Sequence, residues 1–117
     1  MSIATAKADL EKTNAVIKRI TGKASTTYRP PYGAITQKMR TEISMKPMLW
    51  TVDTLDWQRR NAAKTVAAVD KGATNGGVVL MHDIHQPTAD ALARVITTLQ
   101  TKGYTFVTVI LCVKNAM

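Results

Sequence analysis

Apolar residues recur along this chain at helical and strand spacings in turn. Ile3, Ala6, Leu10, Ile17 and Ile20, with Thr13 filling the gap, repeat every three or four residues, the mark of one buried helix face. Ser2 stands where an N-cap is needed and Gly22 where a stop is needed. Thr26-Thr27-Tyr28 then reads as a short strand, ended by Pro30-Pro31 because proline removes a ladder donor and restricts the residue before it. Ile35, Met39 and Ile43, spaced by four, predict a second helix starting near Thr36. Residues 48–52 read as a buried strand, and Asn61 caps a third helix running through Val66 and Val69 to Gly72.

Asn75-Gly76-Gly77 is a turn signal before Val78-Val79-Leu80-Met81, a continuous apolar run suited to a strand covered on both faces. Pro87 and Thr88 open a fourth helix with the stripe Leu92, Val95, Ile96 and Leu99, closed by Gly103. Tyr104 to Ile110 has the β-branched and aromatic content of a last strand. Helix followed by strand, four times over, predicts an α/β fold: a mostly parallel sheet with alternating helices, either open or part of a barrel.

Composition changes this picture little. With 117 residues, 45% hydrophobic and 21% charged, the chain is expected to form one domain over residues 1–113 with a short tail at 114–117. Its longest apolar run falls far short of the ~18 residues of a membrane helix. Residues 1–10 lack the order of an export signal, so location is left undetermined. A lone cysteine, Cys112, allows no internal disulfide. The methionines Met39, Met45, Met48 and Met81 read as core filler. Charge is the skewed quantity: 16 Lys and Arg against 8 Asp and Glu, a formal +8. That balance favours anionic partners, but the basic residues are scattered and no aromatic-rich motif accompanies them, so no specific nucleic-acid site is expected.

In parallel α/β folds, ligands bind where strands end. Three expected strand ends carry Arg29-Pro30-Pro31-Tyr32-Gly33, Asp53-Thr54-Leu55-Asp56-Trp57 and His82-Asp83-Ile84-His85; the fourth, Cys112-Val113-Lys114, carries no such chemistry. Each cluster also has a plain reading as a turn or a braced loop. The last has three candidate metal ligands, yet independent metal binding by it is not expected, because zinc usually needs three protein ligands held on rigid elements.

In this order the clusters R-P-P-Y-G, D-T-L-D-W and L-M-H-D-I-H resemble the last three of five motifs of the polysaccharide deacetylases, the NodB homology domain of carbohydrate esterase family four, and in particular the Gram-positive peptidoglycan N-acetylglucosamine deacetylases. The resemblance covers nearly the whole chain. It implies the C-terminal portion of a distorted (β/α) barrel, and a metal-dependent hydrolysis of the N-acetyl group of an N-acetylglucosamine polymer. It also implies a divalent metal, commonly zinc. The two earlier motifs, T-F-D-D with the base and one metal ligand and H-[ST]-x-x-H with two histidine ligands, do not occur in this sequence. The chain is therefore expected to be a truncated domain that binds no metal and is nearly inactive alone.

Carried over by position, the resemblance makes His82 the general acid, Asp56 its carboxylate partner, Arg29 the partner of the family's base aspartate, and the Tyr32 N–H a donor to the oxyanion. Trp57 and Leu80 line the groove and the acetyl pocket; Pro31 and Asp53 belong to the same substrate-binding motifs. A carboxylate beside an imidazole favours its cation, which suits an acid. The alternatives are a non-catalytic glycan-binding remnant and, on charge alone, a basic nucleic-acid module. Sheet edges left by a partial barrel are expected to recruit a second copy into a homodimer. The family usually works outside the cell or on its wall.

Overall fold

Ser2 starts the first helix as its position predicts: its hydroxyl accepts the Thr5 N–H at 3.2 Å, and α1 runs over Ile3–Thr21. Gly22 takes a left-handed φ of 84° and donates its N–H to the Lys18 carbonyl, closing the helix. The computed structural model describes residues 2–109, and the chain divides into two compact units, Met1–Leu49 and Trp50–Met117. Ile110 of the expected last strand, Cys112 to Lys114 and the 114–117 tail lie outside the described residues.

In the first unit the α1 stripe keeps Ile3, Ala6, Leu10 and Ile17 of the expectation, but Asn14 replaces Thr13 in it and Ile20 drops out. Its half-buried positions are Ile3, Ala6, Leu10, Asn14 and Ile17, whereas Ile20 is 74% exposed and Thr13 faces water, bonding back to the Asp9 carbonyl. Asn14 fits the interior because its amide is paired both ways: it accepts the Ser25 N–H at 2.6 Å and donates to the Ser25 carbonyl at 3.2 Å. That clasp leads the chain into β1 (Thr27–Tyr28), which pairs in parallel with β2 (Lys46–Pro47). The second of these strands was not anticipated, since it contains a proline. Pro47 is tolerated because the ladder draws on its neighbours instead: Lys46 N–H donates to Thr26 and Met48 N–H to Tyr28. Between them lie a 3₁₀ turn, Pro31–Gly33, and α2 (Gln37–Glu42), capped by the Thr36 hydroxyl.

Tyr28 is buried, and its hydroxyl is the one buried side-chain polar atom with no partner among the described residues. Burial pushes its pKa up, and the nearby positive charge of Arg40 opposes this. An unpaired buried hydroxyl is a cost to folding. Tyr28→Phe is therefore expected to raise the unfolding free energy by about 1 kcal/mol, read from urea unfolding; a loss of stability would show that the hydroxyl has a partner.

In the second unit β3 (Val52–Asp53) pairs in parallel with β4 (Val79–Leu80). The expected strand over residues 48–52 shrinks for a visible reason. Met48 bonds to Tyr28, while Thr51 and Val52 both donate to the Val78 carbonyl, so the stretch is shared between two ladders. The single four-stranded sheet becomes two parallel pairs among the described residues. A short helix, α3 (Asp56–Arg59), precedes α4 (Ala62–Gly72), whose N-terminus is capped by the Asn61 carboxamide accepting from Lys64.

Helix α5 (Gln86–Thr101) lays Ala91, Val95 and Leu99 against Val69 of α4, and these four form the core of the unit. Val95 and Leu99 of the expected stripe are buried and Ile96 is half-buried, but Leu92 is 49% exposed; the buried row Thr88, Ala91, Val95 and Leu99 is centred on the Ala91 side. The small Ala91 lets α4 approach where leucine would not fit. Residues 104–108 form no strand: Tyr104 N–H turns back to the Leu99 carbonyl to finish α5, and Phe106 and Val107 remain half exposed.

Candidate active site

Asp53, Thr54 and Leu55 each have a distinct task in aiming the Asp56 carboxylate. Asp53 ends β3, opposite Leu80 in register, and its own carboxylate accepts the Leu55 N–H at 3.0 Å. Thr54 is fully buried and donates its hydroxyl to the Leu80 carbonyl at 2.8 Å, tying the loop to β4. Leu55 then takes a left-handed φ of 50°, a conformation that costs a residue with a side chain roughly 1 kcal/mol. The turn delivers Asp56 inward at 1% exposure and leaves Trp57, the next residue, 46% exposed.

Asp56 meets His82, which follows β4 by two residues. One carboxylate oxygen, Oδ2, accepts the His82 backbone N–H at 2.6 Å and the Thr88 hydroxyl at 2.7 Å. The other, Oδ1, lies 2.8 Å from His82 Nδ1. Burial by itself pushes the Asp56 carboxyl up. The His82 N–H, its ring and the Thr88 hydroxyl outweigh that burial and hold it at about 2, below the ordinary 3.8. Asp56 is thus an anion at neutral pH and accepts only. The proton between the two groups therefore sits on Nδ1, and Nε2 is the ring nitrogen left for other chemistry. The His82 side chain is 36% exposed, so a substrate atom can reach it. A proton-carrying imidazole, oriented by a buried carboxylate and accessible from water, is equipped to donate to a leaving group.

Thr54 and Thr88 were absent from the expected site. Thr88 was legible only as a helix-opening residue, and nothing local reveals that its hydroxyl meets a carboxylate 32 positions earlier.

Arg29, Pro31 and Tyr32 belong to the first unit. The exposed Arg29 donates its Nε–H to the Met48 carbonyl at 3.2 Å. Pro31 opens the 3₁₀ turn, and Tyr32, fully exposed, is held at a left-handed φ of 58°. Two of the three non-glycine residues with positive φ, Tyr32 and Leu55, therefore fall inside the recognised motifs, where backbone strain is commonly kept for function. No hydrogen bond occupies the Tyr32 N–H among the described residues.

Among the described residues no three His, Cys, Asp or Glu side chains gather into a metal-holding group. Both oxygens of Asp56 are committed to His82 and Thr88, and Asp83 and His85 add no third ligand with it. The described residues alone do not fit a metal centre.

The chain is similar to known enzymes in sequence and in fold. The family model described as polysaccharide deacetylase matches residues 1–48. Peptidoglycan-N-acetylglucosamine deacetylase PgdA of Listeria monocytogenes is 46% identical over 98 residues, 84% of this chain and 21% of that protein. Peptidoglycan-N-acetylmuramic acid deacetylase PdaC of Bacillus subtilis is 38% identical over 109 residues, 93% of this chain and 23% of its own length. The solved structure of B. subtilis peptidoglycan deacetylase PdaC superposes with a TM-score of 0.90 at 36% identity, covering 97% of this chain and 56% of that one. The chain belongs to the polysaccharide deacetylases, with the α/β fold of part of their (β/α) barrel. It spans about a fifth of the length of the two relatives named by sequence. The family uses a divalent metal, and no helix among the described residues is long and apolar enough to cross a membrane.

Proposed function

We propose that this chain supplies the proton-donating part of a deacetylase that hydrolyses the N-acetyl group of N-acetylglucosamine in peptidoglycan, at the cell wall. The observation that carries this reading is the Asp56–His82 pair, 2.8 Å apart with the carboxylate buried and the imidazole accessible. Breaking the amide C–N bond requires a proton on the departing amine. His82 delivers it from Nε2 while Asp56 holds the ring at Nδ1 and stabilises the cation. Tyr32 offers its backbone N–H to an oxyanion, and Arg29 is the guanidinium that pairs with the family's base aspartate. Half-exposed Trp57 is a stacking face for a sugar ring, while Leu80, Pro31 and Asp53 shape or brace the substrate-binding loops. The divalent metal, zinc in the complete domain, supplies Lewis acidity; its ligand motifs do not occur in this sequence. Self-association through the open edges of the short parallel pairs is part of the same proposal.

A chimera tests this directly, with residues 2–109 replacing the matching stretch of B. subtilis PdaC. It is expected to release acetate from peptidoglycan, while this chain alone turns over at least about a thousandfold more slowly, because it lacks the base and the Lewis acid that carry most of the rate. A folded chimera that releases no acetate would refute the catalytic reading and leave a glycan-binding remnant centred on Trp57.

A further inference from the structure

Threonine hydroxyls on the helices of this chain have a common habit. Thr13, Thr21, Thr41, Thr97 and Thr101 each donate to the carbonyl four residues earlier on their own helix. Thr88, in the first turn of α5 and 6% exposed, does otherwise: its hydroxyl crosses to Oδ2 of Asp56 at 2.7 Å. The other two donors to that carboxylate, the backbone N–H on Oδ2 and Nδ1 on Oδ1, both belong to His82. They fix Asp56 relative to His82 and leave the pair free to shift as a unit. Among the described residues, Thr88 is the one side chain outside the pair that holds the carboxylate. It is itself well anchored. Pro87 before it has a fixed φ, the Thr88 N–H donates to the His85 carbonyl at 3.2 Å, and Ala91 one turn on packs into the core with Val69, Val95 and Leu99. The segment from His82 to Thr88 thus leaves one carboxylate oxygen and returns to it, with Asp83 and Ile84 exposed on the way.

We infer that Thr88 is the positioning residue of the acid: its hydroxyl ties the Asp56–His82 pair to α5 and fixes the plane of the carboxylate, so that Oδ1 stays on Nδ1 and Nε2 stays free to face a leaving group. Thr88 is buried and acts only through Asp56. The inference rests on the deacetylase reading for what the acid protonates. A carboxylate that turns about its Cβ–Cγ bond breaks the bond to Nδ1, and an imidazole without that bond takes either neutral tautomer. Without the hydroxyl the ring is therefore oriented for proton donation only part of the time. That lowers the rate of the chemical step and leaves substrate affinity alone.

Two measurements test this, and the first needs no activity. In the imidazole nitrogen NMR signals of the whole chain at alkaline pH, where an ordinary imidazole is neutral, the pair that vanishes in His82→Gln is expected to show Nδ1 protonated and Nε2 bare. In Thr88→Val both nitrogens should move toward one averaged shift, and Thr88→Ala should do the same. Thr88→Ser, which keeps the hydroxyl, should restore the separate pair. Val69→Ala, which opens a cavity in the core beside α5, is expected to lower stability and leave the ring signals in place. In the PdaC chimera, Thr88→Val should lower kcat by about ten- to a hundredfold with KM unchanged, and Thr88→Ser should recover most of the loss. Ring signals in Thr88→Val and Thr88→Ala identical to those of the unaltered chain overturn the inference. So does averaging in Val69→Ala as large as in Thr88→Val, or a fall in kcat/KM that comes from KM alone. A chimera that releases no acetate before any substitution refutes the catalytic reading, and the ring signals of the whole chain still decide the role of Thr88.

Discussion

Asp56→Asn is expected to lower the stability of the second unit by about 3 kcal/mol and to cut deacetylation in the PdaC chimera by a factor on the order of 10² to 10⁴. The carboxylate is 1% exposed and accepts from three donors, two on Oδ2 and one on Oδ1. A carboxamide has one acceptor oxygen. If that oxygen keeps the His82 N–H and the Thr88 hydroxyl, the NH₂ group faces Nδ1 and forces it to accept. The imidazole then cannot become a cation without opposing two donors, so it no longer serves as an acid.

The same substitution has a pH signature. Asp56 has its folded-state pKa depressed to about 2 from 3.8, so the carboxylate contributes stability that is fully present above the ordinary value and is lost as pH falls through the folded one. That contribution is about 2 kcal/mol. The gap between the unaltered chain and Asp56→Asn should stay constant down to about pH 4 and then narrow toward about pH 2. Both tryptophans, Trp50 and Trp57, lie in the second unit, so their fluorescence during urea unfolding follows this unit alone. A gap that does not change with pH would mean that Asp56 is not the depressed carboxyl.

Leu99→Ala is expected to cost the same unit about 2 to 5 kcal/mol, whereas Leu92→Ala should cost less than about 1 kcal/mol. Leu99 is 5% exposed and packs with Val69, Ala91 and Val95; Leu92 is half in water already. With Leu99 as the buried reference, the loss at Leu92, again by tryptophan fluorescence in urea, tests whether the stripe extends to Leu92 as the apolar pattern first indicates. Equal losses at both positions would restore Leu92 to the stripe.

The misplaced Leu92 shows where the sequence is a good guide and where it is not. Caps and stops were legible because they act within one turn: Ser2, Thr36 and Asn61 each accept from an N–H three residues on, and Gly22 and Gly103 take the positive φ that ends a helix. Choosing between Ala91 and Leu92 requires the shape of the opposing helix, which favours a small residue over a larger, more apolar one. Strands were the least legible, since a ladder is defined by a partner far along the chain: Lys46–Pro47 pairs with Thr27–Tyr28 although its composition argues against a strand. Residues 104–108 have strand composition yet form no strand, because composition alone does not supply a ladder.

The site divides in the same way. Asp56 and His82 were found through motifs, and the structure joins them; Thr88 was missed because its hydroxyl gains meaning only when α5 places it over Asp56. Asp53, whose role the motif left open, is bonded to the Leu55 N–H and so sets the turn that aims Asp56.

The sharpest single measurement is acetate release by the PdaC chimera carrying His82→Gln, a side chain that keeps a donor near Asp56 but has no imidazole. The account predicts a folded protein slowed by at least about a hundredfold, because no ring nitrogen is left to hand a proton to the departing amine. Unaltered turnover would contradict it.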